Sequence, residues 1–363
     1  MATLGLCMIA KDEEQVLGRC LDSARPFADE IVVADTGSHD RTKEIAASYG
    51  AAVYDFPWQD DFAAARNFSF AQAHTDYILW LDCDDVIEPQ FFAAFDALKR
   101  GLDGSADAYM LPYRAGADEQ GNAALVFYRE RIVRRACGFV WEGAVHEAIA
   151  VRGNVRWGEA AVTHKKPAGR TAPGRNLRIY ARQFARGIRP TPRDVFYFAR
   201  ELSDCGLPSA AADVFAFFLR GEGWVENKIS ACRDLAACHR RLGEPERELA
   251  ALFRSFDYAP PRPEICCDVG SFFMRRQDWK QAIFWFKLAV NEKADPCTGA
   301  FTCPDCSGYI PYLWMCVCYD RLGEYERAAH CNELAGRCRP GDESVAFNRR
   351  YFAQIFQDKG QNQ

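Results

Sequence analysis

The chain has 363 residues, 49% of them apolar and 26% charged, and a net charge of −5. That length admits two domains, and the composition is that of an ordinary globular protein. The charge balance offers no global basic field for nucleic acid or anionic lipid, and no apolar run approaches the ~18 residues of a membrane span.

From the N-terminus, Leu4–Ala10 reads as a first strand. It is too short for an export signal and runs into Lys11, Asp12, Glu13 and Glu14. The sixteen cysteines are scattered and include the adjacent pair Cys266 and Cys267. Without an export signal they indicate reduced thiols in a cytoplasmic protein. Asp12 is placed to cap a helix whose apolar spacing (Val16, Leu17, Cys20, Leu21) continues through Arg25. Glu30–Asp35 is a β-branched strand, and Asp40 or Ser38 would cap a helix over 41–49 that stops at Gly50. A short strand over 52–56, a helix over 62–73 and a strand over 77–81 follow. Strands and helices alternating across short connections predict right-handed crossovers and a mostly parallel sheet.

The strand Tyr77-Ile78-Leu79-Trp80-Leu81 runs straight into Asp82-Cys83-Asp84-Asp85. Ligands bind outside the carboxyl ends of strands in open α/β sheets. Mg²⁺ and Mn²⁺ take oxygen ligands and keep open positions for phosphates. On an extended chain Asp82 and Asp84 share one side. The turn therefore reads as a metal–diphosphate site, or else as a solvated acidic loop capping the next helix. Beyond it come a helix over 91–102, two longer strands over 107–114 and 124–135 with a polar turn over 116–122, and short elements over 139–151 and 155–163. Two prolines and two glycines within 167–174 mark a linker.

From Asn176 onward the pattern is helical only. Leu242-Gly243-Glu244-Pro245 resembles Leu322-Gly323-Glu324-Tyr325, and Cys205-Gly206 and Arg276-Gln277 fill the same slot. The slots lie 37, 34 and 46 residues apart, the last interval carrying an insertion over 296–308. This spacing suits a tetratricopeptide-like helix–turn–helix repeat, with a plain helical bundle as the alternative. Cys303-Pro304-Asp305-Cys306 with Cys297, Cys316 and Cys318 suggests zinc. However, Cys316-Val317-Cys318 inside a helix gives poor tetrahedral geometry, so buried free thiols are the preferred reading.

Four segments, in this order, carry a family resemblance: Ala10-Lys11-Asp12-Glu13-Glu14; Asp35-Thr36-Gly37-Ser38-His39-Asp40-Arg41-Thr42; Asp60-Asp61-Phe62 leading into Ala65-Arg66-Asn67; and Trp80-Leu81-Asp82-Cys83-Asp84-Asp85. Together they resemble the family 2 glycosyltransferases, strongly over the first 85 residues and loosely to about 166. The resemblance implies a GT-A fold (α/β, Rossmann-like, mostly parallel sheet) over 1–166, a linker over 167–176 and an all-α repeat domain over 177–363. It implies donor contacts from Asp12, Glu13, Asp35, Arg66, Asn67 and Asp82, with Asp35 accepting from base or ribose and Arg66 forking onto phosphate. Asp84 would be the direct ligand of a Mg²⁺ or Mn²⁺ ion, joined by His164. Glu147 is the first candidate for the base that takes the acceptor proton, and Glu142 the second. The implied reaction is inverting sugar transfer from a nucleotide-sugar, UDP-linked by preference, to a peptide, protein or glycan. The repeats would dock that acceptor, pair two copies, or both. The two-part layout is similar to the bacterial peptide S-glycosyltransferases. Two rivals stand beside it. A nucleotidyltransferase normally needs a Gly-rich loop after the first strand, where this chain has acidic residues; the other is a non-catalytic scaffold built on the repeats.

Overall fold

The computed structural model describes residues 2–117, 123–166, 174–292 and 302–361. The chain divides into two compact units, Met1–Gly206 and Leu207–Gln363. Residues 118–122 of the turn expected over 116–122, and residues 167–173 of the linker, lie outside the described residues.

In the first unit, strands β1 (Leu4–Ala10), β2 (Glu30–Asp35), β3 (Ala52–Asp55) and β4 (Tyr77–Trp80) alternate with helices α1 (Leu17–Ala24), α2 (Thr42–Ser48) and α3 (Phe62–Ala71). After β4 come β5 (Asp85–Val86), α4 (Phe92–Arg100), β6 (Ala108–Ala117) and β7 (Ala123–Arg134). The short strands β8 (Trp141–Glu142), β9 (Ala148–Ile149), β10 (Val155–Trp157) and β11 (Val162–His164) close the α/β part. The main sheet runs in the order β3-β2-β1-β4-β7-β6-β11-β5, with β10 beside β6. The β3-β2-β1-β4 half is parallel, as the alternation predicts. The hairpin β6–β7 then enters antiparallel to β4.

Period-two alternation sends β1 to both faces. Leu4, Leu6 and Met8 join the core under α1, α2 and α4 (Leu17, Leu21, Ala46, Phe95). Cys7, with Ile78 and Trp80 of β4, joins the core under α3 (Ala63, Phe70). Both faces are covered, which is why these strands read as continuous apolar runs.

Two capping expectations change. Asp12 does not cap α1. Val16 stands there, because the Glu13 carbonyl turns back to accept from the Val16 and Leu17 amides. Asp12 lies upstream with φ 54°. At α2 the Asp40 carboxylate accepts from the Thr42 amide at 2.9 Å, whereas Ser38 Oγ is turned to the Asp12 amide.

Helices α5 (Arg175–Ala185) and α6 (Pro192–Asp204) belong to the first unit by their packing. The second unit continues with α7 (Pro208–Arg220), α8 (Val225–Leu242), α9 (Pro245–Arg254), α10 (Pro263–Arg275), α11 (Trp279–Asn291), α12 (Tyr309–Arg321), α13 (Tyr325–Cys338) and α14 (Glu343–Gln361). The four slot residues share one backbone conformation: φ is 81° at Gly206, 73° at Gly243, 60° at Gln277 and 74° at Gly323. Each ends one helix in the left-handed region that the next helix needs. Gly270 allows the close approach of α10 and α11, since a Cβ there would meet the Phe286 ring at 2.6 Å.

The cysteines separate. Cys303 and Cys306 pack with Cys266 and Cys267, whereas Cys316 and Cys318 belong to another apolar cluster with Cys331. The CxxC and the CxC therefore do not converge; Cys297 lies outside the described residues. Among the described residues no helix is long and apolar enough to cross a membrane.

Candidate active site

The carboxyl ends of β1 and β4 open onto a cleft of about 870 Å³, within the range of small-molecule sites. It lies wholly inside the first unit.

The acidic turn forms one wall. The Asp85 amide donates to the Asp82 carbonyl (3.0 Å), and the Asp82 amide donates to Asp85 Oδ2 (3.0 Å). Asp82 and Asp84 line the cleft. Asp85 turns inward instead and is fully buried. Tyr113 Oη donates to it at 2.8 Å and Arg131 Nη1 at 3.0 Å, under the Trp80 ring. A buried carboxylate is tolerable because a guanidinium and a hydroxyl occupy its lone pairs.

Strand β11 runs antiparallel to β5, with His164 opposite Asp85. The Lys165 amide donates to the Asp84 carbonyl at 2.8 Å. His164 Nδ1 therefore stands 3.3 Å from Asp84 Oδ1 and 3.4 Å from Asp85 Oδ1. The hydrogen bond to Asp84, then that to Asp85, pushes the imidazole up to about 10. Asp84, Asp85 and His164 are the one such group among the described residues whose ligand atoms all lie within 4.8 Å of one another. Two carboxylates and an imidazole suit a hard or borderline divalent ion such as Mg²⁺ or Mn²⁺. A cation there would replace the proton that now bridges His164 to the carboxylates. The structure thus brings together the two metal ligands expected from sequence and adds Asp85 within reach. Asp82 points elsewhere.

Arg66 of α3 is the hub of the opposite wall. It is buried between the rings of Trp80 (4.9 Å) and Trp141 (4.8 Å). Its Nε donates to Glu147 Oε1 at 2.6 Å and its Nη2 to Asp82 Oδ1 at 2.5 Å. Burial would raise the Asp82 carboxyl, but Arg66 and Arg131 outweigh it and hold it near about 2. The Arg66 fork is thus spent on two carboxylates rather than left open for phosphate. Asn67 does not face the cleft: its amide exchanges hydrogen bonds with the Trp141 backbone at 3.0 and 2.8 Å, tying α3 to β8.

The loops after β1 and β2 are laced together. The His39 amide donates to Asp12 Oδ1 at 2.7 Å and Thr42 Oγ1 accepts from the Glu13 amide at 2.7 Å. Asp12 and Glu13 line the cleft. Asp35 is buried behind them and accepts from the Gly37 and Ser38 amides at 3.0 and 2.9 Å. Its Oδ1 is buried with no hydrogen-bond partner, and the cleft meets this loop at Thr36.

Glu147 and Glu142 part company in the small β8–β9 hairpin. Glu147 sits in its loop and lines the cleft, whereas Glu142 is exposed and outside it. His146 does not pair with Glu147. Its Nε2 stands 2.8 Å from Glu201 Oε1 on α6. Sequence reasoning missed Glu201, and also Arg129 of β7, whose Nη2 donates to the Glu147 carbonyl at 3.3 Å. The run Arg129-Glu130-Arg131 inside an otherwise apolar strand was the available signal for the latter; Glu201 had none.

Comparison with known proteins agrees with this layout. Residues 6–120 match the family described as Glycosyl transferase family 2. A TPR repeat-containing protein of Synechococcus elongatus is 46% identical over 103 residues, 28% of this chain and 25% of that one. The lipopolysaccharide core biosynthesis glycosyltransferase LpsC of Rhizobium meliloti is 27% identical over 165 residues, 42% of this chain and 58% of that one. The chain therefore spans from a quarter to under two thirds of these relatives' lengths. Glucosyl-3-phosphoglycerate synthase from Mycobacterium tuberculosis, solved with Mn²⁺ and uridine-diphosphate-glucose, aligns with a TM-score of 0.35 at 18% identity, over 57% of this chain and 80% of that one. That likeness is too slight to carry functional weight. The family match spans the acidic turn, Arg66 and both laced loops.

Proposed function

We propose that this chain is a cation-dependent glycosyltransferase that moves a sugar from a nucleotide-sugar, UDP-linked by preference, to an acceptor with inversion. The observation that supports it most is the convergence of Asp84 and His164 on a cleft large enough for a nucleotide-sugar. Asp84 and His164, with Asp85 in reach, would hold Mg²⁺ or Mn²⁺, which offsets the charge gathering on a leaving diphosphate.

The remaining work falls to side chains. Glu147 is the base: it lines the cleft, as Glu142 does not. It takes the proton from the acceptor as the new bond forms at the sugar's anomeric carbon and the bond to the diphosphate oxygen breaks. A single displacement of this kind inverts that carbon. Arg66 orients both Glu147 and Asp82 through its ion pairs to them. Asp12 and Glu13 shape the donor end, and Asp35 has an Oδ1 without a hydrogen-bond partner with which to accept from a base or ribose.

The acceptor is a peptide, a protein or a glycan, engaged by the helices beyond residue 177, which also offer a surface for pairing two copies. By sequence, 167–176 joins these helices to the transfer domain. The setting is the cytoplasm. The test is release of nucleoside diphosphate by the purified chain with Mn²⁺ and a panel of UDP- and GDP-sugars. Slow hydrolysis of one donor is expected. Silence across the panel, with no donor-induced rise in melting temperature, removes the proposal, and release of pyrophosphate replaces it with nucleotidyl transfer.

A further inference from the structure

His146 carries a left-handed backbone, φ 52°, which residues with a Cβ seldom adopt without outside support. Its support comes from one face of α6. Arg193 Nε donates to the His146 carbonyl at 3.0 Å. The Tyr197 ring stacks on the imidazole at 4.1 Å and 12°. Glu201 Oε1 receives the imidazole Nε2 at 2.8 Å and the Asn176 amide of α5 at 2.8 Å. Residues 193, 197 and 201 recur every four positions, so they project as one stripe. Burial would raise the Glu201 carboxyl, but its bonds to His146 and Asn176 hold it below the usual range. Facing that carboxylate, Nε2 carries the ring proton.

The next residue is Glu147. Its side chain is fixed by Arg66 and its carbonyl by Arg129. The loop between β8 and β9 is thus gripped at two successive residues, by α6 at one and by α3 and β7 at the other. Relaxing φ at 146 swings the chain that delivers Glu147.

We propose that Glu201 is a positioning residue for transfer: by holding His146 in its left-handed conformation, it sets the Glu147 carboxylate in the cleft. This rests on Glu147 as the base. Helix α6 lies beyond the residues that match the family.

The experiment uses the full chain carrying Glu201→Ala, Glu201→Gln or Tyr197→Leu. Donor hydrolysis is measured with Mn²⁺ and the sugar nucleotide the wild type turns over, alongside hydrogen exchange over residues 141–149. Glu201→Ala should lower kcat by about 10- to 100-fold, the scale set by misplacing a catalytic group, with donor KM within about twofold. Exchange over 141–149 should quicken. Glu201→Gln keeps an acceptor for Nε2–H and should rescue most of the turnover. Tyr197→Leu should move both readouts the same way by a smaller factor. Wild-type kcat in Glu201→Ala, or unchanged exchange over 141–149 in both Glu201→Ala and Tyr197→Leu, overturns the proposal. If the wild type releases no nucleoside diphosphate, the transfer reading fails, while the exchange rates still report whether α6 holds the loop.

Discussion

Buried charge is handled in opposite ways in the two units. In the helical unit three acids close into pairs with arginines, Glu226 with Arg262, Glu248 with Arg275, and Asp268 with Arg233, and buried Glu264 accepts from the Cys303 amide. Each pair cancels locally and joins one helix to another. At the margin of the sheet, Asp82, Asp84, Asp85 and Glu147 face three guanidiniums, Arg66, Arg129 and Arg131, and the imidazole of His164. That network is open, because its negative charge exceeds its fixed positive charge. Charges withdrawn from water without full compensation cost stability, so a fold keeps such an imbalance where a cation is to be taken up. Closed pairs hold the helices together; the open network is the feature that fits a transferase.

Four perturbations sharpen this contrast. The largest effect is expected from Asp84→Ala, which removes the open network's ligand. Turnover should fall by on the order of a thousandfold, the several kcal/mol of charge stabilisation a metal supplies, and nucleoside diphosphate release by the variant measures it. Arg66→Met comes next. It strands Asp82 and Glu147 near Trp80 and Trp141, and breaking such a buried pair costs about 3–5 kcal/mol, read from urea unfolding midpoints. Glu226→Ala opens a closed pair whose arginine is partly exposed. It should cost about 1–2 kcal/mol, between the surface and buried limits, and leave turnover at the wild-type level; lost turnover would blur the division between the units.

The smallest effect concerns pH in the absence of added cation. The folded His164 pKa is raised from 6.5 to about 10, so its bridge stabilises the fold fully below pH 6.5 and fades as pH rises through about 10. The melting-temperature gap between wild type and His164→Gln should be widest in acid and narrow in that window. A constant gap would place the His164 contribution outside the bridge.

Much of this was legible in the sequence for local reasons. The strands β1, β2 and β4 announce themselves because burial on both faces demands nearly unbroken apolar runs. The slot residues Gly206, Gly243 and Gly323 reveal the helical repeat through a conformation that glycine adopts freely. Alignment alone put Gln277 in that company, and its φ of 60° places it there. The acidic turn is visible because three carboxylates next to a buried strand are costly without a purpose.

The partners of those side chains were not legible. Arg66 meets Glu147 across 81 positions and His146 meets Glu201 across 55, and no local pattern encodes either pairing. Asn67, beside Arg66 in the motif, turned out to clamp Trp141, because successive helical residues point about 100° apart. Asp35 is buried, and the two backbone amides that satisfy one of its oxygens come from its own loop.

The most direct measurement is calorimetric titration of UDP into the wild type and into Asp84→Ala, each with and without Mn²⁺. The account predicts binding to the wild type only when Mn²⁺ is present, and none to the variant under either condition. Equal binding with and without the cation, or an Asp84→Ala variant that binds as tightly as the wild type, would contradict it.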